Sequence, residues 1–216
     1  MKRLICSLVI SASALFGLSV APAMAQHGSS MNSPASNLRA DMRKLWTDHT
    51  TWTRIYIMEA VGDQPDAQAA AGRLMKNQED IGNAVAAYYG KAAGDKLTSL
   101  LKEHISIAVD IIKFAKAGDK ANQSASDAKW KKNADDIADF LAKANPNWPK
   151  ATLASMMAKH LQTTTDEVVA RLTKNWDGDV KAYDAVYDHI LTMADALTDG
   201  IIKQFPQKFS GSTTRR

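Results

Sequence analysis

Residues 95–118 have the sequence DKLTSLLKEHISIAVDIIKFAKAG, and this stretch decides the fold class. Its apolar residues recur every three or four positions, which is the spacing of one face of an α-helix. His104 falls on that face, and Gly118 follows as a typical helix stop. The stretch therefore predicts an amphipathic helix over 95–117. Its apolar face comprises Leu97, Leu101, Ala108 and Ile111.

The same helical spacing continues from residue 37 to residue 205, and no segment has the strict alternation of a strand. Short links separate the periodic segments, which favours antiparallel neighbours. A capping-box pattern, TTDE at 164–167, predicts a helix start there. The sequence therefore predicts an all-α, up-and-down helical bundle of six to seven helices with a four-helix core. The predicted helices cover 37–61, 66–89, 95–117, a segment ending at 144, a segment from 149 past 160, a segment from 164 to about 176, and 179–204.

The first 25 residues have the organisation of a secretory signal peptide. Lys2 and Arg3 precede an apolar run over 4–20, and the small-x-small motif AMA at 23–25 precedes the expected cleavage point. A membrane anchor is the alternative, but Ser and Gly interrupt this short run. No later segment of the sequence is long and apolar enough for a membrane span. We therefore expect a periplasmic or secreted protein.

Composition divides the rest of the chain into three parts. Residues 26–36 are rich in Ser, Asn, Gly and Pro and are predicted to form a disordered leader. Residues 37–206 are predicted to form the helical-bundle domain, and 207–216 a polar tail.

Cysteine content and charge argue against several function classes. The only cysteine, Cys6, lies in the predicted signal peptide, so the expected mature chain of 191 residues has no thiol for a disulfide or a metal. Cleavage lowers the formal net charge from +4 to +2, which gives no basis for nucleic-acid binding. The sequence also lacks phosphate-binding Gly loops, dinucleotide fingerprints, nucleophile elbows and Glu-x-x-His motifs. An enzyme is the least favoured class, and the question of catalysis stays open.

Four histidines fall inside the predicted helical segments, each on a different helix. Imidazoles from several helices of a bundle can close a metal site, and thioethers favour copper, above all Cu(I). Met156 precedes His160 by four residues and Met193 follows His189 by four, so each pair shares a helix face. The sequence therefore predicts a site for copper, iron or zinc, the alternative being ordinary core or surface histidines. The predicted metal ligands are His49, His104, His160, His189 and Met193.

A second group of polar residues lies beside the apolar stripes of the second and fourth predicted helices. Amide and carboxylate groups next to histidines can contact a ligand or orient metal ligands. Trp52 lies one turn from His49 and is expected to wall a pocket. The alternative is a hydrogen-bond network that only fixes the register of the helices. The predicted ligand-binding residues are Trp52, Asn77, Asp80, Asn133 and Asp136.

Several strings of the chain are similar to a family of small bacterial helical proteins of unassigned function. They are LWTDH at 45–49, NQEDIGN at 77–83, LLKEHI at 100–105 and NPNWP at 145–149, and the resemblance extends over about 38–209. It implies a helical bundle in which the positions of His49, His104 and His160 belong to the recognisable motifs. Members are sometimes labelled as glycosyltransferases or acetylglutamate kinases, but no residue pattern here supports either activity.

The leading functional hypothesis from the sequence is an exported helical-bundle binding protein with a His/Asp-lined internal site for a transition metal or a small molecule. One alternative is a structural or stress-related envelope protein whose polar interior only fixes helix register. Another is a non-covalent haem binder that uses His and Met ligands.

Overall fold

The structure is a computed structural model, and it describes residues 33–210. Within that range the chain forms six α-helices and a short 3₁₀ helix and contains no strand, so the predicted all-α bundle is confirmed. The predicted signal peptide, residues 26–32 of the predicted leader and residues 211–216 of the predicted tail lie outside the described residues.

The six α-helices close a ring, because each packs against the next and α6 packs against α1. Their lengths are similar, from 23 to 29 residues. The interior is therefore enclosed by all six helices, whereas the sequence indicated four long helices with shorter ones at their side. The helices are α1 Pro34–Val61, α2 Ala67–Tyr89, α3 Lys91–Ala117, α4 Lys120–Ala144, α5 Lys150–Leu172 and α6 Trp176–Gln204, followed by the 3₁₀ helix Pro206–Lys208.

Helix α1 begins inside the segment predicted to be a disordered leader. Ser33 is its N-cap: the Ser33 hydroxyl accepts a hydrogen bond from the Ser36 amide, and the Ser36 hydroxyl accepts one from the Ser33 amide, both at 3.1 Å. Pro34 occupies the first helical position, where its missing N–H costs nothing. The Ser and Pro residues that indicate a loop by composition form a helix start in this context.

Helix α5 is continuous, so the predicted helix start at 164–167 is wrong. The hydroxyls of Thr163 and Thr165 donate to the carbonyls of Lys159 and Leu161 in the preceding turn, at 3.0 and 2.8 Å, and cap no new helix. Glu167, the expected capping carboxylate, instead accepts a hydrogen bond from Arg54. A tertiary ion pair has replaced the local capping interaction.

Helices α2 and α3 approach closely through two facing glycines. A Cβ at Gly82 would lie 2.8 Å from the Gly94 carbonyl oxygen, and a Cβ at Gly94 would lie 2.6 Å from the Gly82 carbonyl oxygen. The link between the helices is the single residue Gly90, whose φ of 85° favours glycine. Helix α3 therefore starts at Lys91, four residues before the sequence-based boundary, and includes Gly94.

The apolar interior consists of a large cluster, which includes Trp46, Leu101 and Met157, and a small one formed by Ile57, Ile112 and Val168. On each of α1, α3 and α5, one histidine lies in sequence between a residue of the large cluster and the residue of the small one. The three imidazoles therefore lie in the interior, at the boundary between the large and the small apolar cluster. No helix within 33–210 is both long and apolar enough to cross a membrane.

Candidate functional site

Helices α1, α3 and α5 bring three histidines together in the centre of the bundle. The ring of His160 lies 5.7 Å from that of His49 and 6.0 Å from that of His104, measured between centroids. Each of the three is at most 5% exposed. We call His49, His104 and His160 the histidine cluster.

Hydrogen bonds fix the tautomer of His104. The side-chain amide nitrogen of Asn133 donates to the Leu100 carbonyl and to Glu103 Oε2, both at 3.1 Å, which identifies Asn133 Oδ1 as the acceptor. That oxygen lies 2.8 Å from His104 Nδ1, so Nδ1 carries the proton and donates. The other ring nitrogen, Nε2, therefore has a free lone pair. It is buried and has no hydrogen-bond partner within the described residues.

His49 lies against the side-chain amide of Gln78. Gln78 Nε2 donates to the Leu74 carbonyl at 2.8 Å and lies 3.2 Å from Asn77 Oδ1 and 3.3 Å from His49 Nδ1. The amide nitrogen must face these groups, because the amide oxygen would meet two other acceptors there. His49 Nδ1 is therefore the acceptor of a weak, shared contact, and the proton of this ring is on Nε2.

His160 lies between the other two rings. Its Nδ1 is buried and finds no hydrogen-bond partner in the range 33–210. Most buried polar atoms in proteins are paired, and an unpaired one costs roughly 1–3 kcal/mol. The histidine cluster thus contains two ring nitrogens, on His104 and His160, that are buried without partners.

All three residues of the histidine cluster contribute to the lining of an internal cavity of ≈ 30 Å³. Such a volume holds one or two water molecules or a single ion, since one water needs roughly 10–15 Å³. Among the described residues, no carboxylate, Lys or Arg lines it. Besides the imidazoles, its potential metal ligands are the thioethers of Met42, Met156, Met157 and Met193. We call this space the histidine cavity.

Burial keeps all three imidazoles neutral. Loss of solvation, and to a smaller extent the nearby His104, lower the pKa of His49 to about 3. Burial also lowers the pKa of His104 to about 4. The pKa of His160 lies well below its ordinary value, through burial first and then through the charges of the neighbouring histidines. At pH 7 the histidine cluster therefore offers uncharged imidazoles as ligands without a cost for deprotonation.

His189, the fourth predicted ligand, does not join the histidine cluster. Its Nε2 donates to the Met156 carbonyl oxygen at 2.8 Å, which ties α6 to α5, and its side chain is half-buried outside the lining of the cavity. Met193, one turn later on α6, is buried and does line the histidine cavity. The structure thus brings three of the four predicted histidines together.

The predicted polar group divides into interior and surface residues. Asn133 holds His104, and Asn77 donates to the Leu45 carbonyl of α1 at 3.0 Å. Asp80 and Asp136 instead pair with lysines one turn earlier on their own helices, at 2.8 and 2.5 Å. Trp52 is half-buried beneath the Arg73 guanidinium and lies outside the histidine cavity. The expectation that these last three residues line the internal site is wrong, because salt bridges and a cation–π contact hold them at the surface.

The residues three positions before each cluster histidine are part of the site, and sequence reasoning did not assign them to it. They precede the histidine by nearly one helical turn, so they share its face. Trp46 lies edge-on to His49, at 5.5 Å between ring centroids. This spacing was visible in the sequence. The three residues are Trp46, Leu101 and Met157, all of which line the histidine cavity.

The described residues around the histidine cluster do not form a metal site with three or more ligands from His, Cys, Asp and Glu. Within residues 33–210, no group of three or more His, Cys, Asp and Glu side chains is placed to hold one metal ion. His160 contacts both other imidazoles, which have no direct ring contact with each other among the described side chains. The described residues therefore bring His160 close to each of two imidazoles, beside thioethers that line the same cavity.

Comparison with known proteins gives no relative. No protein-family model matches the chain, and no curated protein or solved structure is significantly similar to it. The resemblance to the family of small bacterial helical proteins stays a prediction.

Proposed function

We propose that this chain is an exported α-helical binding protein whose histidine cluster holds one soft transition-metal ion, with Cu(I) as the preferred ion. The observation that carries the proposal is the pair of buried ring nitrogens, His104 Nε2 and His160 Nδ1, that have no partner within the described residues. A metal ion, or water in its absence, satisfies such atoms.

The donor set supports Cu(I) over the other ions that the sequence indicated. Imidazole suits copper, iron and zinc alike, whereas thioether ligands favour Cu(I). Zinc sites usually have three or four protein ligands from His, Cys, Asp and Glu, and no such group is present in 33–210. A dication would also keep more uncompensated charge in a cavity that no described carboxylate lines. Cu(I) accepts two or three ligands and carries a single charge.

The haem alternative is disfavoured by size. Pockets for drug-sized ligands have volumes of roughly 300–1,000 Å³, whereas the histidine cavity measures ≈ 30 Å³. Haem would have to separate the helices that surround the cavity.

Metal binding is tested by titrating the apoprotein with Cu(I) under reducing conditions against a colorimetric chelator. We expect about one equivalent of tightly bound Cu(I) per chain. His160→Leu should lose this binding, because His160 contacts both other imidazoles. The matched control is His189→Leu, which removes a helical histidine outside the histidine cluster and should keep the binding. Less than about a tenth of an equivalent bound by folded wild-type protein, or equal losses in both variants, contradicts the proposal.

A structural role is the second candidate, and the hydrogen bonds of the histidine cluster favour it. His104 and Asn133 connect α3 to α4, and His49 and Gln78 connect α1 to α2. A polar network of this kind fixes the register of packed helices. On this account, changes in the histidine cluster alter the free energy of unfolding, while Cu(I), Zn²⁺ and Fe²⁺ leave the melting temperature of the wild-type protein unchanged.

Export is the remaining element of the proposal, and the pattern of residues 1–25 supports it. Fractionation of bacterial cells that express the full chain should place the protein in the periplasm or the medium. N-terminal sequencing should then begin at Gln26. Recovery of uncleaved protein in the cytoplasm would contradict this element alone.

A further inference from the structure

A second cavity, of ≈ 80 Å³, lies beyond the histidine cavity, where the C-terminal halves of α1, α3 and α5 face the N-terminal half of α4. We propose that it is a binding site for a small uncharged organic molecule that carries one hydroxyl or carbonyl oxygen. This site is separate from the proposed metal site and does not depend on it.

The walls of the second cavity determine the class of ligand. Ile57, Ile112 and Val168, which form the small apolar cluster, are part of its lining. Among the residues that the structure describes, none of its lining residues is charged. A charged ligand would have to lose its hydration without gaining a counter-ion, so an uncharged and largely apolar molecule is favoured.

Two buried polar atoms in this lining determine the polar group of the ligand. Trp130 Nε1 and Thr164 Oγ1 are buried, and neither has a hydrogen-bond partner in 33–210. An indole N–H can only donate, whereas a threonine hydroxyl can donate or accept. A ligand oxygen that accepts from Trp130 and exchanges a hydrogen bond with Thr164 would satisfy both. A hydroxyl or a carbonyl meets this requirement, and a hydrocarbon does not.

The volume determines the size of the ligand. An apolar protein cavity of about 150 Å³ is known to accommodate benzene. About half of that volume admits a molecule of roughly three to five non-hydrogen atoms. The half-exposed Val169 is part of the lining, which places one wall of the cavity at the protein surface. Short-chain alcohols and ketones, such as 2-propanol and acetone, fit both the size and the polarity.

The two cavities are neighbours, so the test must distinguish them. The rings of His104 and Trp130 are in contact, with centroids 5.1 Å apart. His104 lines the histidine cavity and Trp130 lines the second cavity. Trp46 provides an internal control, since its indole nitrogen is also buried without a partner in 33–210 but lines the histidine cavity.

The experiment is a titration of the metal-free protein with 2-propanol, followed by the indole N–H resonances in ¹H–¹⁵N correlation spectra. Loss of a resonance in Trp130→Phe and in Trp46→Phe assigns the two signals. We expect a saturable downfield shift of the Trp130 signal with a dissociation constant of about 1–50 mM, because so few ligand atoms limit the affinity. The Trp46 signal should stay in place. Acetone should act like 2-propanol, whereas acetate, which is charged and of similar size, should have no effect.

Two variants test the mechanism. Thr164→Val keeps the shape of the side chain and removes its hydroxyl, so it should weaken binding about three- to tenfold. Ala108→Leu places a larger side chain in the lining and should abolish the saturable shift. A Trp130 signal that does not saturate, that moves together with the Trp46 signal, or that responds equally to acetate overturns the proposal. Full affinity in Thr164→Val overturns it as well.

Discussion

The buried ion cluster formed by Arg54, Glu167, Asp179 and Arg171 gives the sharpest prediction about stability. Arg54 on α1 donates to Glu167 on α5 at 2.9 Å and to both carboxylate oxygens of Asp179 on α6 at 2.5 and 2.9 Å. The side chains of Glu167 and Asp179 are only 1% and 2% exposed. Removal of the Arg54 guanidinium should therefore leave a buried carboxylate without its partner.

We expect Arg54→Met to lower the free energy of unfolding by about 3–4 kcal/mol at pH 8. Loss of one partner from a buried ion pair typically costs about 3–5 kcal/mol. The lower part of that range applies, because Arg171 still contacts Asp179 at 3.2 Å in the variant. Most of the cost then arises at Glu167.

The loss of unfolding free energy in Arg54→Met should depend on pH in a defined direction. Burial raises the pKa of Glu167, and Arg54 opposes that effect, so removal of Arg54 raises the pKa further. A carboxyl whose pKa is higher in the folded state than in the unfolded state loses stability as the pH rises through that interval. The destabilisation should therefore be smaller at pH 5 and grow toward pH 8, by up to about 1.4 kcal/mol per pH unit.

The assay is urea unfolding followed by tryptophan fluorescence at pH 5 and pH 8. Arg43→Met is the matched control: Arg43 is also on α1 and forms two hydrogen bonds with Asp195, but its side chain is 48% exposed. An exposed pair of this kind contributes less than about 1 kcal/mol. Equal losses in the two variants, or a loss in Arg54→Met that is the same at both pH values, would refute the reasoning.

Two further predictions concern the interior. Burial lowers the pKa of all three cluster histidines. Their neutral rings should therefore contribute fully to the free energy of unfolding of the wild-type protein above pH 6.5, and this contribution should be lost as the pH falls toward 4. Each histidine contributes up to about 1.4 kcal/mol per pH unit in that window. The slope of unfolding free energy against pH should be shallower by about one proton in His160→Leu, and an unchanged slope would mean that His160 is not buried as a neutral ring. Gly82→Ala should destabilise the protein by about 1–3 kcal/mol, since the new Cβ would lie 2.8 Å from the Gly94 carbonyl oxygen. In Gly72→Ala, on the same helix, the new Cβ meets no atom within 4 Å, so this change should stabilise the protein by about 0.5–1 kcal/mol. If thermal unfolding shows the same change in stability for both variants, close packing of α2 on α3 is excluded.

The sequence predicted the helices well because their signals are local. Apolar spacing, a stop such as Gly118 and a start such as Pro149 act within a few residues, and apart from the predicted break at 164 the structure places helix ends within a few positions of those predicted. The errors arose where a tertiary contact outweighed a local pattern. Glu167 pairs with Arg54, which is 113 residues away in sequence, so the capping-box pattern does not start a helix. The close contact of Gly82 with Gly94 likewise depends on two helices.

The candidate site was predictable in part. His104 could be placed inside because apolar residues surround it on its helix face. Asp80 and Asp136 were placed wrongly, although each follows a lysine by four residues and pairs with it on the helix surface. That spacing was available in the sequence. The tautomer of His104 was not, because it depends on Asn133 of another helix.

The most direct test of the histidine cluster as a metal site is the ¹⁵N NMR spectrum of the histidine rings at pH 7, before and after one equivalent of Cu(I). The account predicts neutral rings in the apoprotein, with His104 protonated on Nδ1 and bare on Nε2. After addition of Cu(I), one ring nitrogen of His160 and one of at least one neighbouring ring should shift, while the His189 ring should not. Cluster rings that are protonated at pH 7, or that keep their shifts while Cu(I) is bound, would contradict the account.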